Sequence, residues 1–186
     1  MNKNRFFLGW LILQLVVLGG WAGIHEWQRQ HGPRVFLKLA PVDPHDILRG
    51  RYQAIAFEVE RVPKEVVARS SLGDGSKLEW GKPLWLVLQQ GTNQWHEVAS
   101  IHRDHPEGEE HVIRAQYAND WSDWDQKTET SVSRGLRVSL GMDRYFIPAN
   151  HPDIPRGTNH VVLGEVSIGK SGNPQLERLL IDGKPY

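Results

Sequence analysis

The chain divides into one apolar segment near its start and a longer region in which apolar and polar residues alternate. Residues 6–24 are nineteen consecutive positions without a charged side chain, and Gln14 is their one strongly polar residue. A helix of that length spans roughly 28 Å, close to the ~30 Å hydrocarbon core of a bilayer. A helix of a soluble core usually shows a polar stripe, and this segment has none. The pattern predicts a helix that crosses the lipid bilayer through residues 6–24.

Charges beside this segment predict its orientation. Lys3 and Arg5 precede it, whereas Arg29 is the single Lys or Arg of residues 25–33. The positive-inside rule then predicts a cytoplasmic N-terminus and an extracytoplasmic body. A cleaved signal peptide is the alternative, because Gly20 and Ala22 put small residues at the −3 and −1 positions of a possible cleavage site. The apolar run exceeds the about 7–15 residues of a signal core, which favours the anchor.

Beyond residue 33, period-two alternation and β-branched or aromatic runs predict about nine short strands. Turn clusters such as 73–75, 106–108 and 171–174 separate them. This punctuation predicts a mainly β fold, an antiparallel sandwich or an open barrel. One or two helical turns are expected within residues 63–71. The predicted strands are Arg34–Ala40, Arg51–Val62, Leu84–Gln90, Gln94–Ile101, His111–Tyr117, Ser131–Leu140, Arg144–Pro148, Val161–Ile168 and Gln175–Ile181.

The predicted domain organisation follows from these two regions. It comprises a cytoplasmic tail (1–5), a transmembrane anchor (6–24), a linker (25–33) and a β-rich extracytoplasmic domain (34–186).

A tight turn is predicted just before the second strand. Asp43 is a suitable helix N-cap, Pro44 suits the first helical position and Gly50 can end the turn in the left-handed conformation. In the strand that follows, Ile55 and Phe57 share one face with Gln53 and Val59, and we expect that face to point into the core.

The segment from Gly50 to Phe57 resembles the signature of the GDYXXLXY family of bacterial membrane-anchored proteins. Gly50 and Tyr52 match the signature, while Ile55 and Phe57 are conservative replacements for its Leu and last Tyr. Arg51 stands where the signature has Asp.

Two later segments extend the resemblance over nearly the whole chain. Tyr145, Phe146 and Pro148 resemble the family's Tyr-Phe-x-Pro segment, although Ala149 stands where a glutamate commonly follows. The closing residues 179–184 also fit the family's usual ending. The resemblance implies a protein anchored in the bacterial inner membrane, with a multi-pass membrane protein as a candidate partner. It carries over no catalytic residue, and two acidic positions of the pattern are altered here.

Asp43, Asp46, Arg49 and Tyr52 form the strongest candidate for a polar ligand site. They gather around the predicted turn, where carboxylates, a guanidinium and a phenol could converge. Capping and turn roles account for the two aspartates equally well. Loss of function in Asp46→Ala with intact folding would support a site, and loss of stability alone would support the structural role.

Other polar clusters carry weaker signals. His96, His102, His105 and His111 have no spacing typical of a zinc site, so no metal or other cofactor is expected. Trp121 and Trp124 lie among aspartates in a segment predicted to be a loop. They either pack onto the sheet or contact a partner, since Trp is enriched at protein interfaces.

Composition narrows the class of function. Lys+Arg and Asp+Glu are equal at 22 each, which argues against nucleic acid as a partner. Cysteine is absent, which excludes thiolate sites and disulfides. No G-x-S-x-G motif is present. The sequence favours a non-enzymatic envelope protein that contacts a membrane or envelope partner, with a small ligand-binding or hydrolytic domain at residues 43–52 as the alternative.

Overall fold

A computed structural model describes residues 3–40, 52–70, 72, 78–125, 130–147, 154–155 and 160–186. The chain forms two compact units, Met1–Gly32 and Pro33–Tyr186. The turn residues 43–50 therefore lie outside the described residues.

The first unit is one helix, α1 (Lys3–His31). Its window Phe7–Ile24 has a mean hydropathy of 1.9 and none of it is buried, so by length and composition it could span a membrane. The helix extends through residues 25–31, which the sequence predicted as part of a linker. Beyond residue 24, the first Gly and Pro are Gly32 and Pro33, which explains why the helix continues to His31.

The second unit is built from antiparallel strands. One short helix, α2 (Lys64–Ala68), lies within residues 63–71, where helical turns were predicted. The strands are β1 (Arg34–Ala40), β2 (Tyr52–Ala54), β3 (Ala56–Phe57), β4 (Arg61–Pro63), β5 (Pro83–Gln90), β6 (His96–His102), β7 (Val112–Asp125), β8 (Thr130–Ser139), β9 (Arg144–Phe146), β10 (Val162–Ile168), β11 (Pro174–Ile181) and β12 (Lys184–Pro185).

Within the described residues these strands form two five-stranded sheets and a two-stranded ribbon. The first sheet has the order β12-β11-β10-β1-β3 and the second the order β4-β8-β7-β5-β6, while β2 pairs with β9. Buried apolar residues of both sheets form one core, with Val35 and Leu37 from the first and Leu84 and Leu86 from the second. The predicted fold class, mainly antiparallel β with one N-terminal apolar helix, is confirmed.

The predicted strand Arg51–Val62 is interrupted in the structure. A 3₁₀ turn, Glu58–Glu60, separates β3 from β4. Strand β3 pairs with β1 of the first sheet and β4 pairs with β8 of the second, so the turn carries the chain from one sheet to the other. Ile55, Phe57 and Val59 are nevertheless buried, as the period-two pattern predicted.

The segment around Trp121 is not a loop as predicted. Strand β7 continues to Asp125 and pairs with β8 from Gln116↔Ser139 to Asp125↔Thr130. The polar residues of the segment allow this ribbon to be exposed, because an antiparallel pair forms backbone hydrogen bonds between its own two strands. The side chain of Trp121 is half-buried.

Candidate functional site

The structure brings the two family-like segments together, although about ninety residues separate them in the chain. Strand β2 pairs with β9 in the register Tyr52↔Phe146, Gln53↔Tyr145 and Ala54↔Arg144. Just beyond β2, the Ile55 N–H donates to the Asp143 carbonyl oxygen at 3.0 Å. Three residues of the signature-like segment thus pair with residues 144–146 of the second segment as one antiparallel ribbon.

Side chains from both segments fix this ribbon to the core. Ile55 and Phe57 are buried, and Tyr145 packs partly buried against the same core. The Tyr145 ring lies 6.3 Å, centroid to centroid, from the ring of Tyr186 at the end of the chain. Phe146 is 50% exposed. The apolar positions of the signature therefore have a packing role, and Phe146 offers an aromatic edge to solvent.

The Glu60 carboxylate connects β3 to the residues that lead into β9. Oε2 accepts the Phe57 N–H at 3.1 Å, and Oε1 accepts the Leu140 N–H at 3.0 Å. Burial raises the pKa of Glu60; the two backbone N–H donors oppose this rise, the nearby Asp143 reinforces it, and the net shift is upward. The group is a structural link between β3 and the segment that leads to β9.

Sequence reasoning did not single out Glu60. In the predicted continuous strand it shares a face with Ala54, Ala56 and Glu58, the face opposite to the core. The 3₁₀ turn at Glu58–Glu60 changes the direction of the side chain, and the period-two pattern contains no signal for that change.

Most of the predicted polar ligand site lies outside the described residues. This applies to Asp43, Asp46, Arg49 and Gly50, and also to Pro148 of the second segment. Tyr52 is described as a residue of β2, opposite Phe146. The hypothesis of a ligand site at the turn stays a prediction.

The four histidines of residues 96–111 occupy different surroundings. His96 is buried, its Nδ1 accepts the Phe36 N–H at 3.2 Å, and its ring lies 5.3 Å from that of His111. His102 contacts Ser100, and the His105 ring meets the edge of Trp85 at 4.6 Å. In the part of the chain that the structure describes, no three His, Cys, Asp or Glu residues are grouped to hold a metal ion.

Ser70 also has a structural environment. Its hydroxyl donates to the Val66 carbonyl at 2.6 Å and accepts the Ile101 N–H at 2.9 Å. These bonds join the end of α2 to strand β6. Ser70 therefore links two elements of the fold.

A cavity of about 430 Å³ lies where the β5–β6 loop meets β10 and the β11–β12 turn. Residues 92–95 line it from the loop, and Val161, Leu163, Asp182 and Gly183 line it from the first sheet. Both sheets thus contribute to its wall. Its volume lies within the ~300–1,000 Å³ that is usual for small-molecule sites.

Asp182 is the charged member of this lining and is held by two bonds. Its Oδ1 accepts the Val161 N–H at 2.9 Å, and its Oδ2 lies 2.7 Å from His160 Nδ1. The hydrogen bond from His160, followed by that from Val161, lowers the pKa of Asp182. The residue adopts a φ of 50°, a left-handed conformation that Asp and Asn tolerate better than most residues.

Trp95 is the aromatic member of the lining, and its ring is oriented by a cation. Lys38 Nζ lies 5.1 Å from the ring centroid and also 2.8 Å from Glu58 Oε1. Sequence reasoning missed this cavity altogether, because it placed Gln94 and Trp95 in a strand that in fact begins at His96. The two walls of the cavity also lie more than sixty residues apart in the chain.

Comparison with known families assigns the chain. A family model described as GDYXXLXY protein matches residues 14–179, a span that contains both β2 and β9. The chain belongs to this family, as its signature-like segment predicted. The family description names a sequence signature and no activity. Comparisons with curated proteins and with solved structures give no match.

Proposed function

We propose that this protein is a single-pass, membrane-anchored envelope protein that works through contacts with a membrane protein or another envelope component. The observation that carries this proposal is the apolar helix window Phe7–Ile24, with its mean hydropathy of 1.9. Phe7 and Trp21 are 69% and 64% exposed, and side chains of this kind require an apolar surrounding. A bilayer supplies that surrounding along the full length of the window.

The orientation proposed is N-terminus in the cytoplasm and residues 33–186 outside it. Lys3 and Arg5 stand on one side of the window and Arg29 alone on the other, which fits the positive-inside rule. A β-sandwich without cysteine requires no oxidising compartment, and it folds on either side of the membrane by the same burial of its core.

A contact role is supported by exposed aromatic side chains on the β unit. Trp80 is 83% exposed and Phe146 is 50% exposed, while the half-buried Trp121 lies on the β7–β8 ribbon. Aromatic residues of this kind are enriched at the centres of protein interfaces. Trp121 and Trp124 are the proposed partner contacts, and the candidate partner is a multi-pass membrane protein.

The orientation in the membrane can be tested by labelling introduced cysteines, and the chain gives no background signal because it contains no cysteine of its own. Single variants Asn2→Cys and Glu79→Cys are expressed in full-length protein and treated in intact cells with a membrane-impermeant maleimide. Glu79 has a strongly exposed side chain, so its replacement is accessible to the reagent. We expect Glu79→Cys to be labelled in intact cells and Asn2→Cys only after lysis. The reverse pattern would overturn the orientation.

The same preparations distinguish an anchor from a cleaved signal. Retention in the membrane after alkaline carbonate extraction, with an N-terminal sequence that begins before residue 6, is the result expected for the anchor. A mature N-terminus near residue 23 would show a cleaved signal peptide instead.

Partner contact is tested by a photo-crosslinking residue placed at position 121, with position 107 as the matched control on an exposed turn. We expect position 121 to crosslink an integral membrane or envelope protein, and position 107 to give no such product. Recovery of this chain alone, under several mild detergents and from both positions, would contradict the contact role.

A further inference from the structure

The cavity beside the β5–β6 loop has a lining with the mixed chemistry of a sugar site. Thr92, Asn93 and Gln94 are exposed and supply a hydroxyl and two amides, which both donate and accept hydrogen bonds. Asp182 adds a carboxylate that only accepts. Val161 and Leu163 supply a limited apolar surface. This lining suits a ligand that carries several hydroxyl groups.

The indole of Trp95 provides a flat apolar surface on the same wall. Indole combines an apolar body with an N–H donor, so it can stack on the C–H face of a sugar ring and bond to one of its hydroxyls. The Lys38 ammonium at 5.1 Å limits the orientations of the ring before any ligand binds. A platform that is already oriented loses less conformational entropy on binding.

Electrostatics around the cavity disfavour an anionic ligand. Among the described residues that line it, Asp182 is the charged one, and a carboxylate repels phosphate or another carboxylate. The nearby Lys38 ammonium is paired with Glu58 at 2.8 Å. A neutral ligand meets neither repulsion nor a need to break this pair.

Asp182 is positioned as an acceptor before a ligand arrives. The Val161 N–H and the His160 ring hold its two oxygens, at 2.9 Å and 2.7 Å. Each carboxylate oxygen has more than one lone pair, so acceptor capacity remains for a sugar hydroxyl. A carboxylate held in place in this way can fix the orientation of a hydroxyl-bearing ligand.

We infer that this cavity binds a neutral saccharide of mono- or disaccharide size, with the Trp95 indole against the sugar ring and Asp182 as an acceptor for its hydroxyls. The inference goes beyond the proposed membrane role and does not depend on it, since every group involved belongs to the β unit.

The test uses the full-length chain in lipid nanodiscs, because a glycoside detergent would itself compete for such a site. Calorimetric titrations use glucose, N-acetylglucosamine, and their β-1,4-linked disaccharides cellobiose and chitobiose, with inorganic phosphate as the anionic probe. We expect saturable binding of at least one saccharide and none of phosphate. Saturable binding of phosphate alone, or of no saccharide up to about 20 mM, would overturn the inference.

Single substitutions test whether the saccharide binds in this cavity. Trp95→Ala is expected to weaken saccharide binding about tenfold or more, and Trp95→Phe to retain part of it. The matched control is Trp80→Ala, which removes a tryptophan that is 83% exposed and does not line the cavity; it should leave affinity unchanged. Equal losses in Trp95→Ala and Trp80→Ala would place binding elsewhere.

A second variant decides the outcome if Trp95→Ala fails to fold. The double variant Asn93→Ala/Gln94→Ala changes only exposed loop side chains, and its urea unfolding midpoint should equal that of the parent. We expect it to weaken saccharide binding about threefold or more. Unchanged saccharide affinity in this folded variant would contradict the assignment of the cavity.

Discussion

Helix α1 and strand β10 are both rich in apolar residues, yet they use them differently. In the helix window Phe7–Ile24 none of the chain is buried, whereas every residue of β10 is buried, including Glu165 with 3% exposure. Strand β10 pairs with β1 and β11 on its two sides and lies against the core. Apolar content alone therefore does not say where a segment is buried. Length, uniformity and the absence of a polar face distinguish a helix suited to lipid from a strand suited to a protein core.

The two regions also differ in whether they contain a charged side chain. The helix window holds no charged residue, but β10 accommodates Glu165 because two guanidinium groups reach it from neighbouring strands. Arg34 Nη1 lies 2.9 Å from Oε1, and Arg178 Nε lies 2.5 Å from Oε2. A protein core can build such partners around a carboxylate, and the hydrocarbon of a bilayer cannot.

The largest expected effect comes from placing charge in the helix. An arginine at the centre of a membrane helix costs about 2.5–3.5 kcal/mol of insertion free energy, so Leu15→Arg/Val16→Arg should cost about 5–7 kcal/mol. We expect this variant to leave the carbonate-resistant membrane fraction. The matched Leu15→Ile/Val16→Ile should remain there. If the arginine variant remained fully in the carbonate-resistant membrane fraction, the helix would not be buried in lipid and its contrast with β10 would be wrong.

Removing the buried charge of β10 should have the next largest effect. Glu165→Gln is expected to lower the free energy of unfolding by about 2–3 kcal/mol, a value reduced because both arginines are about half exposed. Asp123→Asn is the control, since its pair with Arg134 is exposed and should contribute less than about 1 kcal/mol. Urea unfolding followed by tryptophan fluorescence compares the two. Equal destabilisation would mean that the burial of Glu165 is unimportant.

The ion pairs of Glu165 with Arg34 and Arg178 also predict how the stability of the fold depends on pH. Burial raises the pKa of Glu165, but the bonds and charges of Arg178 and Arg34 outweigh it, so the net pKa lies below its ordinary value of 4.5. A lowered carboxyl pKa stabilises the fold above pH 4.5, and this stability is lost as pH falls from 4.5 through the lowered pKa. Glu165→Gln should remove that part of the acid sensitivity.

Glycine replacement should have a smaller effect that again differs between the two regions. A Cβ at Gly164 of β10 would lie 2.8 Å from Phe57 Cε1 and 3.0 Å from Leu176 Cδ1, while one at Gly19 of the helix would meet nothing within 4 Å. We expect Gly164→Ala to destabilise the β unit by about 1–3 kcal/mol. Gly19→Ala should change stability by less than about 0.5 kcal/mol. A neutral Gly164→Ala would show that Phe57 repacks freely.

The smallest expected effect concerns His96, whose Nδ1 joins β6 of the second sheet to Phe36 of β1. Burial, reinforced by the nearby His111, lowers the pKa of His96 below 6.5. Stability should therefore be complete above pH 6.5 and decrease by about 1 kcal/mol as pH falls through the lowered pKa.

His96→Asn tests this dependence, because its Oδ1 can accept the Phe36 N–H and does not titrate. We expect its stability to vary less with pH between 6.5 and 5 than that of the parent. His96→Leu, which removes the acceptor, should be destabilised at every pH. A parent profile that is flat over this range would contradict the assigned role of His96.

Much of the fold could be predicted from local pattern. Strand β1 was predicted and observed as Arg34–Ala40, α2 lies where helical turns were expected, and Ile55, Phe57 and Val59 are buried as period two required. The errors arise where the chain changes sheet at Glu58–Glu60 and where β7 extends to Asp125. Both depend on pairing with distant strands, and a window of a few residues contains no information about a distant partner.

The candidate sites were less predictable. The sequence identified Tyr52 and Tyr145 as members of two family-like segments, but it did not indicate that β2 and β9 pair, or that Glu60 links them. It contained no signal for the cavity, since residues 92–95 and Asp182 lie in turns that connect strands of two different sheets.

The order of residues was sufficient to predict the apolar helix, the mainly antiparallel β class and the core-facing side chains of Ile55, Phe57 and Val59, and the signature-like segment was sufficient to predict the family. The helix, the fold class and the core-facing side chains follow from the order of apolar and polar residues over short spans, because the hydrophobic effect acts on each residue through its own surface. Four features became visible only in the tertiary structure. They are the strand order, the ion pairs of buried Glu165, the bonds from Glu60 to two backbone N–H groups, and the cavity lined by Trp95 and Asp182. Each of these depends on contacts between residues far apart in the chain, which form only when the two sheets close on their common core.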